Sequence, residues 1–289
     1  MRYAAALLAW FTSTVISAQG PPATDIYVAE LKDLENTTEL TGLRNITDRD
    51  GYDNQPSFRN GHQLFYTAID GSGQADIFQF DLSTGERTQV VQTEESEYSP
   101  TLMPDGTGIS VVRVEKDGTQ RLWRFPLDGG EPQLLLEDVK PVGYHLWLGP
   151  KKLAFFILGE PNTLQLATLG ESGTKTVFPE PGRSFQRIPG NNRFSAIRKA
   201  GEGNWLIESV DPETLQHDVL IKTRPGSEDH VWQPDGTLLM AEGTQLFRWH
   251  SERDKDWVLL ADLGGQGLKK ITRIAVSPDN RRIALVNDR

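Results

Sequence analysis

Short apolar runs of about six residues, broken by Gly, Asp and Pro turns, recur along the chain with the length and spacing of β-strands rather than helices. The repeating phrase is an apolar strand, a tight turn, a second apolar strand, a third with aromatic content, a Gly/Asp hairpin and a fourth strand. Its turn is plainest at Pro104-Asp105-Gly106, Pro234-Asp235-Gly236 and Pro278-Asp279-Asn280. Looser versions stand at Arg59-Asn60-Gly61, Gly149-Pro150-Lys151 and Pro189-Gly190-Asn191. With Asn60, Pro104, Gly149, Pro189, Pro234 and Pro278 as markers, successive differences are 44, 45, 40, 45 and 44 residues. A four-stranded unit repeated at this period predicts a β-propeller blade.

First strands are predicted at 55–58, 99–103, 144–148, 185–188, 230–233 and 273–276. Second strands follow at 63–68, 108–114, 152–158, 193–199, 237–242 and 282–287. Their continuous apolar character, strongest in Leu153-Ala154-Phe155-Phe156-Ile157-Leu158, fits strands covered on both faces by neighbouring blades. Third strands at 76–82, 120–127, 162–169, 204–211 and 244–250 alternate more clearly, and fourth strands are expected at 87–92, 132–137, 175–178, 217–222 and 257–262. The sixth repeat has only its first two strands at the C-terminal end. The other two are found near the N-terminus: Asp25-Ile26-Tyr27-Val28, opening 25–31, matches Asp76-Ile77-Phe78-Gln79, and 43–47 matches a fourth strand. The expectation is an all-β, six-bladed propeller of four-stranded blades, occupying 25–289 as one domain. N- and C-terminal strands share the sixth blade and so remove free sheet edges.

The residues Ser99-Pro100-Thr101-Leu102-Met103-Pro104-Asp105-Gly106, Val231-Trp232-Gln233-Pro234-Asp235-Gly236 and Ala275-Val276-Ser277-Pro278-Asp279-Asn280 carry a resemblance to the TolB-type, WD40-like propeller repeat. Asp25-Ile26-Tyr27 and Asp76-Ile77-Phe78 supply its partner motif. The resemblance spans about Asp25 to Arg289 and implies fold more than function, because one repeat serves unrelated roles. TolB itself adds an α/β domain to its propeller, for which this sequence offers no counterpart. Prolyl oligopeptidase-type enzymes add a hydrolase domain with a Gly-x-Ser-x-Gly elbow, which is also absent.

Composition narrows the function classes. Residues 1–18 read as a signal peptide, with Arg2 as the positive region, Ala4 to Phe11 apolar, and Ile16-Ser17-Ala18 as the small-residue cleavage site. The mature protein is therefore expected to be periplasmic or secreted, monomeric and without a transmembrane segment. The chain has no cysteine, so burial rather than disulfides must stabilise it. A formal net charge of −10 with dispersed basic residues argues against nucleic acid.

Loops leading into the innermost strands line one mouth of a propeller channel, and polar groups converging there suit a small ligand or peptide. The candidates at that position are Asp53, Glu97, Tyr98, Tyr144, His145, Arg183, Asp229, His230 and Arg273. Asp53, Glu97 or Asp229 would act as base or ligand, and Arg183 and Arg273 would hold an anion. No cofactor and no metal are expected. His145 and His230, with Glu97 or Asp229 as a third ligand, are the sole metal candidates, and no His-x-x-x-His or His-Glu-x-x-His spacing supports them. Pectate-degrading lyases that use a propeller channel with a His-rich metal site are similar in outline, but no lyase motif can be matched. His62, His217 and His250 are expected at exposed turns or strand ends. The Asp48–Asp53 run reads as a Gly-bearing turn rather than a calcium loop, and Gly170–Lys175 as a hairpin rather than a phosphate loop. Asn36-Thr37-Thr38 and Asn45-Ile46-Thr47 match glycosylation sequons. The preferred reading is a non-catalytic, exported propeller that binds a protein or peptide in the cell envelope. The alternative is a small-molecule or carbohydrate binder, or a lyase or hydrolase, acting at the channel mouth.

Overall fold

The computed structural model describes residues 21–34, 37–71 and 73–289, so the proposed signal peptide and Asn36 lie outside the described residues. Strands β1 (Thr24–Leu34) and β2 (Thr37–Asn45) form an antiparallel hairpin, followed by the meander β3 (Tyr52–Phe58), β4 (Gln63–Ile69), β5 (Ala75–Asp81) and β6 (Arg87–Val91). The next meander is β7 (Ser96–Leu102), β8 (Gly108–Val114), β9 (Gln120–Pro126) and β10 (Gln133–Leu134). Then come β11 (Val142–Trp147), β12 (Lys152–Ile157), β13 (Thr163–Thr168) and β14 (Lys175–Pro179). They are followed by β15 (Pro181–Arg187), β16 (Phe194–Lys199), β17 (Trp205–Val210) and β18 (His217–Lys222). The last elements are β19 (His230–Trp232), β20 (Leu238–Glu242), β21 (Gln245–Trp249), β22 (Val258–Asp262), β23 (Ile271–Val276) and β24 (Arg282–Asp288). A 3-10 turn at Gly264–Gln266 is the single helical element among the described residues.

β7–β10, β11–β14, β15–β18 and β19–β22 are separate four-stranded antiparallel sheets. β1 pairs antiparallel with β24, from Thr24 opposite Asp288 to Glu30 opposite Arg282, so β23, β24, β1 and β2 lie side by side. This group touches β3–β6 through one parallel pair, Thr24 with Tyr52, which formally makes one eight-stranded sheet. The first strands contact one another in succession, β3 with β7, β7 with β11, then β15, β19 and β23, and β23 returns to β3.

The core lies between successive sheets rather than within one. Leu64, Tyr66 and Ala68 of β4, for example, pack with Ile26 and Val28 of β1 and Ala284 and Val286 of β24. The opposite face of β4 places Phe65 against Ile109 and Val111 of β8. This two-sided cover is why the second strands read as unbroken apolar runs. Fourth strands face outward, leaving Val219 and Leu259 half or more exposed at 56% and 52%.

The Pro-Asp-Gly turns hold as their chemistry requires. Asp105 Oδ1 accepts from the Thr107 amide at 3.0 Å, Gly106 donates to the Met103 carbonyl at 2.9 Å, and Gly106 adopts φ of 70°. Pro234–Gly236 repeats this pattern.

Several elements differ from the sequence reading. First strands begin earlier than expected, at Tyr52, Ser96, Val142, Pro181 and Ile271, so Asp53, Glu97, Tyr98 and Arg183 lie within the strands rather than in loops leading into them, and only Asp229 precedes its strand. The strand expected at 132–137 shrinks to Gln133–Leu134. Pro132 has no amide to donate, and beyond Leu135 the chain leaves the ladder to bury Leu136 and Val139 against Leu122 and Leu153. The strand expected at 43–47 is instead 37–45, because the Thr47 hydroxyl accepts the Ile26 amide at 3.0 Å and draws the chain away from its ladder.

Candidate ligand site among the innermost strands

Most first strands carry a register shift in their pairing with the second strand. The shifts fall between Asn54 and Ser57, Tyr98 and Thr101, Val142 and Tyr144, Pro181 and Phe185, and Ile271 and Arg273. An irregularity of this kind re-aims the side chains beside it. Here it brings Tyr98, Tyr144, Arg183 and Arg273 off the regular alternation. Gln55 and Ser99 hold φ of 56° and 54° at two of these positions, a conformation costing a non-glycine residue on the order of 1 kcal/mol. The Gln55 carboxamide oxygen stabilises both, accepting from the Ser99 amide and the Thr67 hydroxyl, each at 2.8 Å.

The first strands enclose a cavity of about 280 Å³, lined among others by Tyr144, His145, Arg183, Asp229 and Arg273. Within it Arg273 Nη2 donates to the Tyr144 hydroxyl at 3.1 Å across 129 residues of sequence, and the guanidinium lies 5.2 Å from that ring's centroid. Tyr144 is held edge-on to Phe156, with centroids 5.7 Å apart. Asp229 fixes its own position by accepting the Ile274 amide at 2.9 Å on Oδ1. Its Oδ2 lies 3.8 Å from Arg273 Nη1 and 3.9 Å from Arg183 Nε, beyond direct hydrogen-bond reach. Arg183 donates through Nη2 to the Thr272 carbonyl, while its buried Nε has no hydrogen-bond partner. Burial pushes Asp229 up, against the pull of Arg273 and Arg183. Burial works against the Arg273 charge, but Tyr144, Asp229 and Tyr52 hold its pKa above the ordinary arginine value.

Tyr52 belongs to the same group and was not among the sequence candidates. Burial raises its phenol to about 12, and the field at its hydroxyl comes from Arg273, Tyr144, Tyr98 and Arg183. Sequence reading absorbed it into the Asp48–Asp53 turn. The signal available was its place in the repeat, since Tyr52, Tyr98 and Tyr144 follow one another at 46-residue steps.

Asp53, Glu97 and His230 sit apart from this group, while His145 lines the cavity with its ring nitrogen bonded elsewhere and Tyr98 lies beside Tyr52. Asp53 is fully buried and ion-paired to Arg49 at 2.6 Å, and burial raises its pKa. Glu97 is fully buried, accepts the Thr93 hydroxyl at 2.6 Å and lies 3.3 Å from Arg113 Nε. Burial pushes its carboxyl up to about 7. His145 and His230 occupy two copies of one arrangement. His145 Nε2 lies 2.7 Å from Ser110 Oγ, which also accepts the Trp147 indole N–H at 2.9 Å. His230 Nε2 lies 2.7 Å from Ser195 Oγ, which accepts the Trp232 indole at 2.8 Å. In both, serine comes from the second strand of one sheet and His-x-Trp from the first strand of the next, with sequence separations of 35 and 37. Burial lowers both imidazoles to about 3, so they stay neutral and serve as struts between sheets. Among the described residues no three His, Cys, Asp or Glu side chains converge as a metal would require.

His62 is exposed, His250 is half-buried, and His217, also exposed, places Nδ1 2.6 Å from Glu208 Oε2. In the Asp48–Asp53 turn, Arg289 pairs with Asp48 and Asp50 while Arg49 pairs with Asp53. Gly170 and Gly173 both take the left-handed backbone that a hairpin needs.

No family model and no curated protein matches the chain. Its fold is that of the β-propellers, shared with solved structures of low sequence identity. A protein assigned as TolB from Agrobacterium tumefaciens superposes with a TM-score of 0.71 at 12% identity, covering 93% of this chain and 99% of its own. A gluconolactonase from Xanthomonas campestris, XC5397, gives 0.64 at 9% identity, covering 94% and 99%. An oligogalacturonate lyase in complex with manganese gives 0.54 at 16% identity, covering 88% and 83%. Identities this low establish the fold and leave function to the site. The histidine and carboxylate placement above does not fit a manganese centre. No helix among the described residues is long and apolar enough to cross a membrane.

Proposed function

We propose that the chain is an exported, non-catalytic propeller of six four-stranded blades, closed by its N- and C-terminal strands, that binds a protein or peptide partner in the cell envelope. The β1–β24 pairing and the return contact of β23 with β3 support the closed ring. One observation carries the binding role. The half-buried polar cluster of Tyr144, Arg183, Asp229 and Arg273 lines an open cavity, whereas the candidate acids Asp53 and Glu97 and His230 are buried in pairings of their own, and His145 reaches the cavity with its Nε2 committed to Ser110. Donors and charges facing a cavity, with aromatic rings beside them, favour recognition.

The test is affinity capture from the native envelope fraction with the wild-type chain and with Arg273→Ala. A stoichiometric partner recovered by the first and lost by the second is the expected outcome, and recovery of no partner by either refutes the reading. A small-molecule or carbohydrate ligand is the second reading, motivated by the cavity's size and its two guanidinium groups. Native mass spectrometry of gently purified protein separates the two, because a retained small molecule moves the assignment to that reading.

A further inference from the structure

The six positions that open the first strands divide into two unlike halves. Tyr52, Tyr98 and Tyr144 come from β3, β7 and β11, while Arg183 and Arg273 come from β15 and β23 and Asp229 directly precedes β19. All six are half-buried. Tyr144 bonds Arg273 directly and Tyr52 lies within the electrostatic reach of Arg273 and Arg183, beside a triad of two guanidinium groups and one carboxylate with a formal charge of +1 inside a chain whose total is −10. Of the neighbouring acids, Asp53 is paired one-to-one with Arg49 and Glu228 with Lys199, while Glu95 and Glu97 share Arg113, so the unmatched carboxylate nearby is held on that guanidinium rather than on the triad.

The triad is also incompletely bonded. Asp229 spends one oxygen on a backbone amide, and the other stands too far from both arginines for direct hydrogen bonds. Arg183 Nε is buried with no hydrogen-bond partner, and Arg273 commits Nη2 to Tyr144. A guanidinium fork held in this way suits a planar anion, since Arg and carboxylate match geometrically. One negative charge neutralises the cluster, whereas a phosphate dianion would leave a surplus negative charge in a partly desolvated cavity.

We propose that this cluster is a carboxylate-binding site, with Arg183 and Arg273 holding the anion and the Tyr144 hydroxyl, already bonded to Arg273, beside it. The proposal rests on the binding role given above and names the group the partner must present. Three sources share that chemistry: an acidic side chain, a peptide C-terminus, or a free organic acid. Asp229 acts as a tuning residue, which keeps the net charge at one and so restrains the affinity.

The experiment is a titration of the full chain with acetate, following the arginine Nε–H resonances by ¹⁵N NMR. Saturable shifts at Arg183 and Arg273, with Arg49 unmoved, are expected. Arg273→Gln should abolish them. Because that variant also loosens Asp229, Asp229→Asn serves as the second probe. It retains an acceptor for the Ile274 amide but removes the competing charge, and it should tighten acetate binding about tenfold or more. It should also admit inorganic phosphate, which the wild type rejects. Capped Gly-Asp-Gly, a tripeptide with a free C-terminus and galacturonate, each compared with its amide, identify the source, and saturable competition by any of them supports the site. Absence of saturable shifts, or an Asp229→Asn variant no tighter than wild type, overturns the proposal. Partner capture that succeeds while acetate leaves both arginines unmoved would sink the carboxylate site and leave the binding role standing.

Discussion

Replacing Ser195 with alanine tests the strut between the sheets β15–β18 and β19–β22. Ser195 is fully buried, and its hydroxyl accepts the Trp232 indole N–H at 2.8 Å while sharing a proton with His230 Nε2 at 2.7 Å. Ser195→Ala leaves both partners unbonded. His230 is fully buried and Trp232 half-buried, so water can reach the second far more easily than the first. At about 1–3 kcal/mol for each buried polar group left unsatisfied, with the tryptophan at the low end, the loss is about 3 kcal/mol. For roughly 270 folded residues that corresponds to a melting temperature lower by about 5 °C. Equilibrium urea unfolding reads the difference directly. The double variant Ser195→Ala/Trp232→Phe removes one of the stranded donors, so its cost should fall short of the two single losses added together by about 1 kcal/mol or more. A single-variant loss below about 1 kcal/mol, or strict additivity, would refute the strut.

Two further outcomes follow from groups outside the cavity. The Glu97 carboxyl titrates at about 7 in the folded chain against an ordinary 4.5, so the native state binds the proton more tightly. Stability from this group is fully present below pH 4.5 and is lost as pH rises through about 7, and Glu97→Gln should flatten that fall in urea titrations at stepped pH. Gly51 has φ of 120° and an added Cβ would lie 2.5 Å from the Ile69 carbonyl oxygen, so Gly51→Ala should cost about 2 kcal/mol or more by thermal melting.

The parts legible in the sequence are those whose cause is local. Pro-Asp-Gly turns announce themselves, because a fixed φ, an Asp acceptor and a glycine in the left-handed region form the turn without outside help. The apolar second strands were equally plain, and Asp25-Ile26-Tyr27 could be matched to Asp76-Ile77-Phe78 although its pairing partner lies some 250 residues away. Arg183, Asp229, Arg273 and Tyr144 were placed from their position in the repeat. What could not be read was the use each side chain makes of a neighbour from another sheet. The Arg49–Asp53 pair and the Thr93 bond to Glu97 decide that those acids turn inward, and no pattern along one strand reveals them. The strut is a partial exception. Ser-x34-His-x-Trp occurs at Ser110 and again at Ser195, and two copies of one spacing one blade-pair apart are visible in the letters. The shortened β10 was illegible because burial of Leu136 and Val139 competes with the ladder only once the adjoining sheet is present.

The partnership of β1 with β24 also orders events in time. A ribosome adding about 5–20 residues per second completes β24 some 12–50 seconds after β1 has emerged, since about 250 residues separate them. Until then the hairpin of β1 and β2 has one edge bare, and an isolated two-stranded hairpin is marginal in water. The first of these strands to be made are thus among the last to gain their full complement of neighbours, so the nascent protein stays incompletely folded until β24 has been added.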